Sequence, residues 1–316
     1  MSLLGARHEV LPGFEGATGW LNSPPLTPAD LRGKVVLVDF WTYTCINWLR
    51  TLGYVRAWWE KYADQGLVVV GVHTPEFPFE KDPENVRWAA KDMNVEYPIA
   101  LDPDYAVWNA FANRYWPAVY IADVEGRIEH RQFGEGGYEE CERVIQRLLG
   151  IDDGLVSVAD EGFEAQADYA NLQSPETYLG YAQAQNFAGD AAFDKPHEFV
   201  VPEPLNLNEW ALSGDWTVES GASVLNRADG RIAIRFHGRD VNLVLRSRSG
   251  SVPFRVVVDG ERPGDARGLD VDEEGQGTLV QPRLYQLVRE RGPITDRTFE
   301  ITFLDPGAEA YCFTFG

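Results

Sequence analysis

The chain has 316 residues, 44% of them hydrophobic, with 10 Trp, 13 Tyr and 16 Phe, enough for two apolar cores at about 100–200 residues per domain. A net charge of −21 argues against nucleic acid and anionic membrane surfaces as partners. Three cysteines do not make a secreted disulfide framework, five histidines scattered singly offer no metal-ligand spacing, and no apolar stretch reaches the roughly 20 residues that span a bilayer.

The first residues place Arg7, Glu9 and Glu15 among glycines instead of a basic segment followed by an apolar one, which predicts a chain that is cytoplasmic or was cut from a larger exported protein, the first being the simpler reading. Val35 to Phe40 is an apolar, β-branched run of the kind that forms a strand buried on both faces. From Cys45 the period changes: Leu49, Leu52, Val55, Trp59 and Tyr62 recur every three or four residues and predict a helix over 45–63. Strand 67–73, helix 83–93, strand 98–101, helix 104–112, strands 117–123 and 127–133, and helix 138–149 follow. The two late strands meet at Asp123-Val124-Glu125-Gly126, where glycine makes a positive φ cheap. Val36, Val38, Phe40, Leu52, Val69, Val119 and Ile121 are the predicted core.

Cys45 therefore falls where an apolar strand hands over to a helix, on the predicted first turn. Helix-end amides favour a thiolate by roughly 0.3–2 kcal/mol, which is about one pKa unit at most. A cysteine so placed is a candidate nucleophile. The alternative is a small buried apolar residue.

Asp39-Phe40-Trp41 followed by Cys45 resembles the active-site approach of thioredoxin-like enzymes. With Leu31-Arg32-Gly33-Lys34, Trp41-Thr42-Tyr43-Thr44-Cys45-Ile46-Asn47, Gly71-Val72-His73-Thr74-Pro75-Glu76-Phe77 and Tyr115-Trp116-Pro117-Ala118-Val119-Tyr120, it looks like the redoxin or TlpA-like domain at the C-terminal end of DipZ-type proteins. The resemblance implies a thioredoxin-like α/β fold, a buried acid at Asp39 and a cis-proline at Pro117 facing the thiol. It departs at position 48, where the second cysteine of a dithiol site is replaced by Trp48. Thr42-Tyr43-Thr44-Cys45 also resembles the Thr-x-x-Cys core of peroxiredoxins, which would give Thr42 a role in orienting a peroxide. The preceding proline of that motif is Val38 here, and its arginine falls on Pro117, with Arg114 nearby.

Parallel strands in a right-handed βαβ unit open their following loops at one sheet edge, so His73 and Glu76 are expected near Cys45. His73 is read as a proton acceptor for the thiol or as a polar loop residue. Trp41, Trp48, His73, Glu76 and Trp116 are the predicted substrate-binding residues, and Cys45, Thr42, Asp39 and Pro117 the predicted catalytic ones. Cys141 lies on the apolar face of its helix and reads as core. The activity expected is that of a thiol-dependent, antioxidant oxidoreductase. It would act on disulfides or peroxides, need no cofactor or metal, and be released by an external thiol. The alternative is an inactive redoxin-derived binding module.

After a first domain at 1–150, residues 151–205 carry 11 acidic and one basic side chain and read as an acidic connector, with Ser174 to Tyr181 as a docking segment. Residues 206–316 alternate with period two, as in Ile232, Ile234 and Phe236, or Phe299, Ile301 and Phe303, and again in Tyr311, Phe313 and Phe315. Eight to ten such strands predict an all-β jelly-roll-type sandwich, resembling a carbohydrate-binding module. Trp210 and Trp216 are the candidate sugar platform, against a reading as core aromatics.

Overall fold

A computed structural model describes residues 9–159, 161–202 and 204–316; the first eight residues, with Arg7, lie outside the described residues. The chain divides into two compact units, Met1–Ala165 and Gln166–Gly316.

The first unit contains β1 (Gly19–Leu21), β2 (Val35–Trp41), α1 (Ile46–Tyr62), β3 (Leu67–His73), α2 (Pro83–Asp92), β4 (Ile99–Leu101), α3 (Ala106–Ala110), β5 (Ala118–Ala122), β6 (Ile128–Phe133) and α4 (Tyr138–Leu149). Its sheet runs β1-β4-β3-β2-β5-β6. Strands β2, β3 and β4 are parallel, β1 and β5 run against them, and β6, antiparallel to β5, runs in their direction again. Every residue of β2 is buried, as its unbroken apolar run requires of a central strand. Alternation divides the predicted core between the two faces. Val36, Val38 and Phe40 pack with Val70, Val72, Ala118 and Tyr120, whereas Leu52, Val69, Val119 and Ile121 are buried outside that cluster.

The parallel register brings Trp41 beside His73 and His73 beside Leu101, so β2, β3 and β4 end at a common edge. Gly71, opposite Asp39, is needed there: a Cβ would lie 2.9 Å from the Trp41 indole nitrogen and 3.0 Å from the Tyr97 ring.

The expected connector 151–205 is divided between the units. Glu142 on α4 accepts hydrogen bonds from Tyr62 (2.6 Å), Trp58 (3.2 Å) and the Val156 backbone (2.9 Å), holding the segment after α4 to the first unit. Residues from 166 onward belong to the second unit. There the docking segment supplies β7 (Thr177–Tyr178) and buries Leu179 in the second core, and β8 (His197–Phe199) follows. The acidity of 151–205 hid this, because the ordering comes from a few apolar and backbone contacts.

The rest of the second unit is antiparallel: β9 (Trp210–Val218), β10 (Ser223–Leu225), β11 (Gly230–Phe236), β12 (Asp240–Ser247), β13 (Val252–Val258), β14 (Gln276–Leu279), β15 (Arg283–Arg289), β16 (Arg297–Phe303) and β17 (Ala308–Phe315). One sheet of order β14-β13-β16-β11-β9-β10-β17-β12-β15 folds into two layers through β9. The first half of β9 pairs with β11 and its second half with β10. Between them Gly214 has φ +94°, and a Cβ there would lie 3.2 Å from the Gly230 Cα. The layers meet through rings such as Phe299 and Phe313, 5.8 Å apart. The predicted inward residues fill this core except Tyr311, which a bulge between Cys312 and Ala310 turns out of step with Phe313.

Candidate active site

Cys45 is the N-cap of α1, one position before the first turn expected for it, with φ −77° and ψ 112°. Its backbone N–H donates to the Thr42 carbonyl (3.2 Å), and its own carbonyl accepts from Leu49 (2.9 Å). Of the three cysteines it alone is partly exposed; Cys141 and Cys312 are buried. Burial pushes the Cys141 thiol up to about 12, so it stays protonated and poorly nucleophilic.

Facing Cys45 is the Trp116–Pro117 bond, which is cis. The Cys45 Sγ lies 3.9 Å from the Trp116 carbonyl oxygen. Beside it, the Pro117 carbonyl accepts a hydrogen bond from Gly134 N–H (2.9 Å), and the half-buried Trp116 ring packs at a tilt of 40° against Trp108, 4.3 Å between centroids.

Behind the thiol the site is sealed. Trp48, one helical turn beyond Cys45, is fully buried and donates its indole N–H to Asp39 Oδ2 (2.9 Å). Tyr97 OH donates to the same oxygen at 3.4 Å. Burial raises the Asp39 carboxyl to about 7, against the stabilising donation from Trp48 and Tyr97. Trp41 stacks on Trp48 at 4.3 Å and meets the His73 ring edge-on at 4.7 Å. His73 also stacks on Tyr43 at 5.6 Å, and burial lowers it to about 3, so the imidazole is neutral at physiological pH.

These positions correct several expectations. Trp41, Trp48 and His73 are 0%, 0% and 2% exposed and form the packed floor of the site, not a substrate-contacting surface. Strand parity explains this: Trp41 and His73 share the sheet face of Asp39 and Gly71, where α1 packs. Thr42 is likewise fully buried, away from any peroxide in solvent. Cys45, Pro117 and Trp116 are brought together, Asp39 lies beneath them, and Glu76 is half-buried in the loop after β3. In the second unit Trp210 and Trp216 are fully buried, with their N–H groups on the Gln185 and Ser213 carbonyls, so neither forms a platform for a sugar.

Glu80 escaped the sequence reading. This buried carboxylate accepts from Thr44 Oγ1 (2.7 Å) and from the backbone N–H of Glu76 (2.7 Å) and Phe77 (2.8 Å). It ties the residue before Cys45 to the loop after β3, and burial raises its pKa despite those donors. Its signal was local: Glu80 is three residues after the cap of the short helical turn Pro78–Lys81, the spacing of a capping box. Asp102, at the end of β4, accepts from Thr74 (3.1 Å), Val107 (2.9 Å) and Trp108 (2.8 Å), fixing the same edge from the other side.

Residues 10–131 match the AhpC/TSA family, and residues 174–316 match the thioredoxin-like C-terminal domain. The thiol-disulfide oxidoreductase YkuV of Bacillus subtilis is 32% identical over 142 residues, covering 45% of this chain and 95% of YkuV. The chain belongs to the thioredoxin-like redoxins. Protein DipZ of Mycobacterium tuberculosis is 40% identical to this redoxin over 256 residues, 79% of the chain and 36% of DipZ. The chain thus spans about a third of the length of the DipZ proteins it matches. A thioredoxin-like protein solved in its oxidized form is 33% identical and covers 45% of this chain and 96% of its own, with a TM-score of 0.42. Among the described residues, no helix is long and apolar enough to cross a membrane.

Proposed function

We propose that the chain is a thiol-dependent oxidoreductase that works through Cys45 alone. The observation that carries this reading is the pairing of a partly exposed Cys45 with the cis Trp116–Pro117 carbonyl, while Trp48 fills the place of a second thiol. The Cys45 thiolate attacks one sulfur of a disulfide. A Cys45–substrate disulfide forms as the old S–S bond breaks, and the other sulfur leaves as a thiolate that takes up a proton. An external thiol then attacks the substrate sulfur of that bond, releasing the Cys45 thiolate and forming a disulfide between the external thiol and the substrate; a second external thiol attacks this bond, giving the disulfide of the reductant and freeing the second substrate thiol. Within the redoxin unit the remaining cysteine is Cys141, whose burial and raised pKa suit it poorly to resolve that bond.

Asp39 has a different part here from that of a proton carrier to a second thiol. Its Oδ2 is occupied by the Trp48 N–H, so it anchors the indole that closes the floor. The peroxide reading has less support, because Thr42 is buried and Arg114 is exposed on the chain before the cis bond. The name of the AhpC/TSA family nevertheless makes peroxide consumption a necessary arm of the test.

The experiment is reduction of insulin and, separately, consumption of hydrogen peroxide, each with a small thiol as reductant. Insulin reduction that disappears in Cys45→Ser is expected. Absence of turnover on both substrates would favour the inactive binding module, and turnover on peroxide alone would move the assignment to a peroxidase.

A further inference from the structure

The thiol and the cis bond it faces stand on separate segments, and a buried ion pair joins them. Arg50, on the second turn of α1, is 3% exposed, and its Nη1 donates to Glu135 Oε1 at 3.0 Å; the Glu135 side chain is 8% exposed. The same nitrogen reaches back to Asn47 Oδ1 at 3.4 Å, as helical side chains lean toward the N-terminus. Glu135 sits in Gly134-Glu135-Gly136-Gly137, whose glycines have φ of 77°, 92° and 66°. Such a stretch has little conformational preference of its own, so its place must be set by contacts.

One of those contacts is Gly134 N–H on the Pro117 carbonyl at 2.9 Å. The connections form a ring: Cys45, α1, Arg50, Glu135, Gly134, Pro117, Trp116, and back across 3.9 Å to the Cys45 sulfur. The ion pair is the one charged link in that ring. A surface pair would be loosened by solvent, but this one is desolvated and holds its geometry.

We propose that Arg50 and Glu135 are positioning residues that set the gap between Cys45 and Trp116, and so determine whether an extended polypeptide disulfide can lie in it. The proposal rests on the reading of Cys45 as a disulfide-attacking thiol. A polypeptide must fit between sulfur and carbonyl, whereas a small disulfide needs only an exposed sulfur. Loss of the pair should therefore separate the two substrates.

The test compares the wild type with Arg50→Met/Glu135→Met, which removes both charges together and leaves neither buried alone. Glu135→Asp, which keeps the charge and shortens the arm by one methylene, serves if the double variant does not fold. Two readouts are taken: hydrogen exchange of the Gly134 amide, and the rate of Cys45 with insulin and with a small aromatic disulfide. The double variant should speed Gly134 exchange by about tenfold. It should slow the insulin reaction by about ten- to a hundredfold while the small disulfide stays within about twofold. Glu135→Asp should fall between it and the wild type on both readouts. Unchanged Gly134 exchange in a folded variant, or equal slowing of the two disulfides, would overturn the proposal. If the wild type attacks neither disulfide, the functional reading fails by itself, and the exchange measurement alone decides whether the pair holds the loop.

Discussion

Trp216 in the second unit and Trp48 in the first are both sealed from solvent, but their indole N–H groups go to different places. Trp216 donates to the Ser213 carbonyl within its own strand and packs edge-on to Phe303, inside a core made of apolar side chains from both layers. Trp48 donates to a carboxylate and stacks on a second indole, beside a buried histidine. The second unit buries hydrocarbon, which favours folding wherever it is placed. The edge of the first unit also buries Asp39, His73, Glu80 and Asp102, which is costly unless each is held by partners or kept neutral. That cost falls around the single thiol that faces the cis bond.

The sharpest way to separate the regions is to cut the two indoles. Trp216→Ala should lower the stability of the second unit by about 3–5 kcal/mol, seen as a fall in its unfolding midpoint, with Cys45 alkylation by iodoacetamide unchanged. Trp48→Cys opens a comparable cavity, but should also yield a dithiol: with Asp39 and Pro117 in place, Cys45 and residue 48 should form a reducible local disulfide. If Trp48→Cys gives no such disulfide on oxidation, the site has drifted from a geometry that supports one.

The pH dependence of stability tests the buried charges. Unfolded Asp39 loses its proton near 3.8 and folded Asp39 near 7. The native state therefore holds an extra proton between those values, and stability falls as pH rises across that window, by up to about 4 kcal/mol. His73 works in the other direction: folded it titrates near 3 and unfolded near 6.5, so stability rises with pH between the two. The slopes oppose each other between about 4 and 6.5. Asp39→Asn should remove the falling Asp39 contribution, so that the stability of the variant rises relative to that of the wild type between about pH 4 and 7. A denaturant series showing the same profile in wild type and variant would mean that Asp39 is ionised throughout.

A smaller effect is expected at Glu80. Glu80→Gln replaces one of the two acceptor oxygens by an NH2, which meets the Thr44 hydroxyl when the amide oxygen stays on the two backbone N–H groups, at a cost of about 1–3 kcal/mol. It should also loosen Thr44, so the Cys45 alkylation rate should change together with the melting temperature. A change in melting temperature alone would limit Glu80 to a structural part.

Much of this was legible in the chain. The run Val35 to Phe40 and the helical period after Cys45 fixed a strand and a helix to within a residue or two, because each is long and its period unambiguous. Cys45 could be placed for the same reason, whereas Asp39 and Pro117 were placed by the resemblance to thioredoxin-like enzymes. His73 and Trp41 were read as contacting substrate, although their parity with Asp39 and Gly71 already pointed them toward α1. The Trp48–Asp39 hydrogen bond was not legible, since it depends on how closely α1 lies on β2. Tyr311 was lost to a bulge, a one-residue insertion that leaves no mark in the alternation on its C-terminal side.

The most direct measurement is the intact mass of the protein after exposure to glutathione disulfide, with peptide mapping of the product. A lone attacking thiol predicts a glutathione adduct on Cys45 that persists until a small thiol is added. Spontaneous loss of that adduct with formation of a Cys45–Cys141 disulfide, or no adduct on Cys45 at all, would contradict the one-cysteine account.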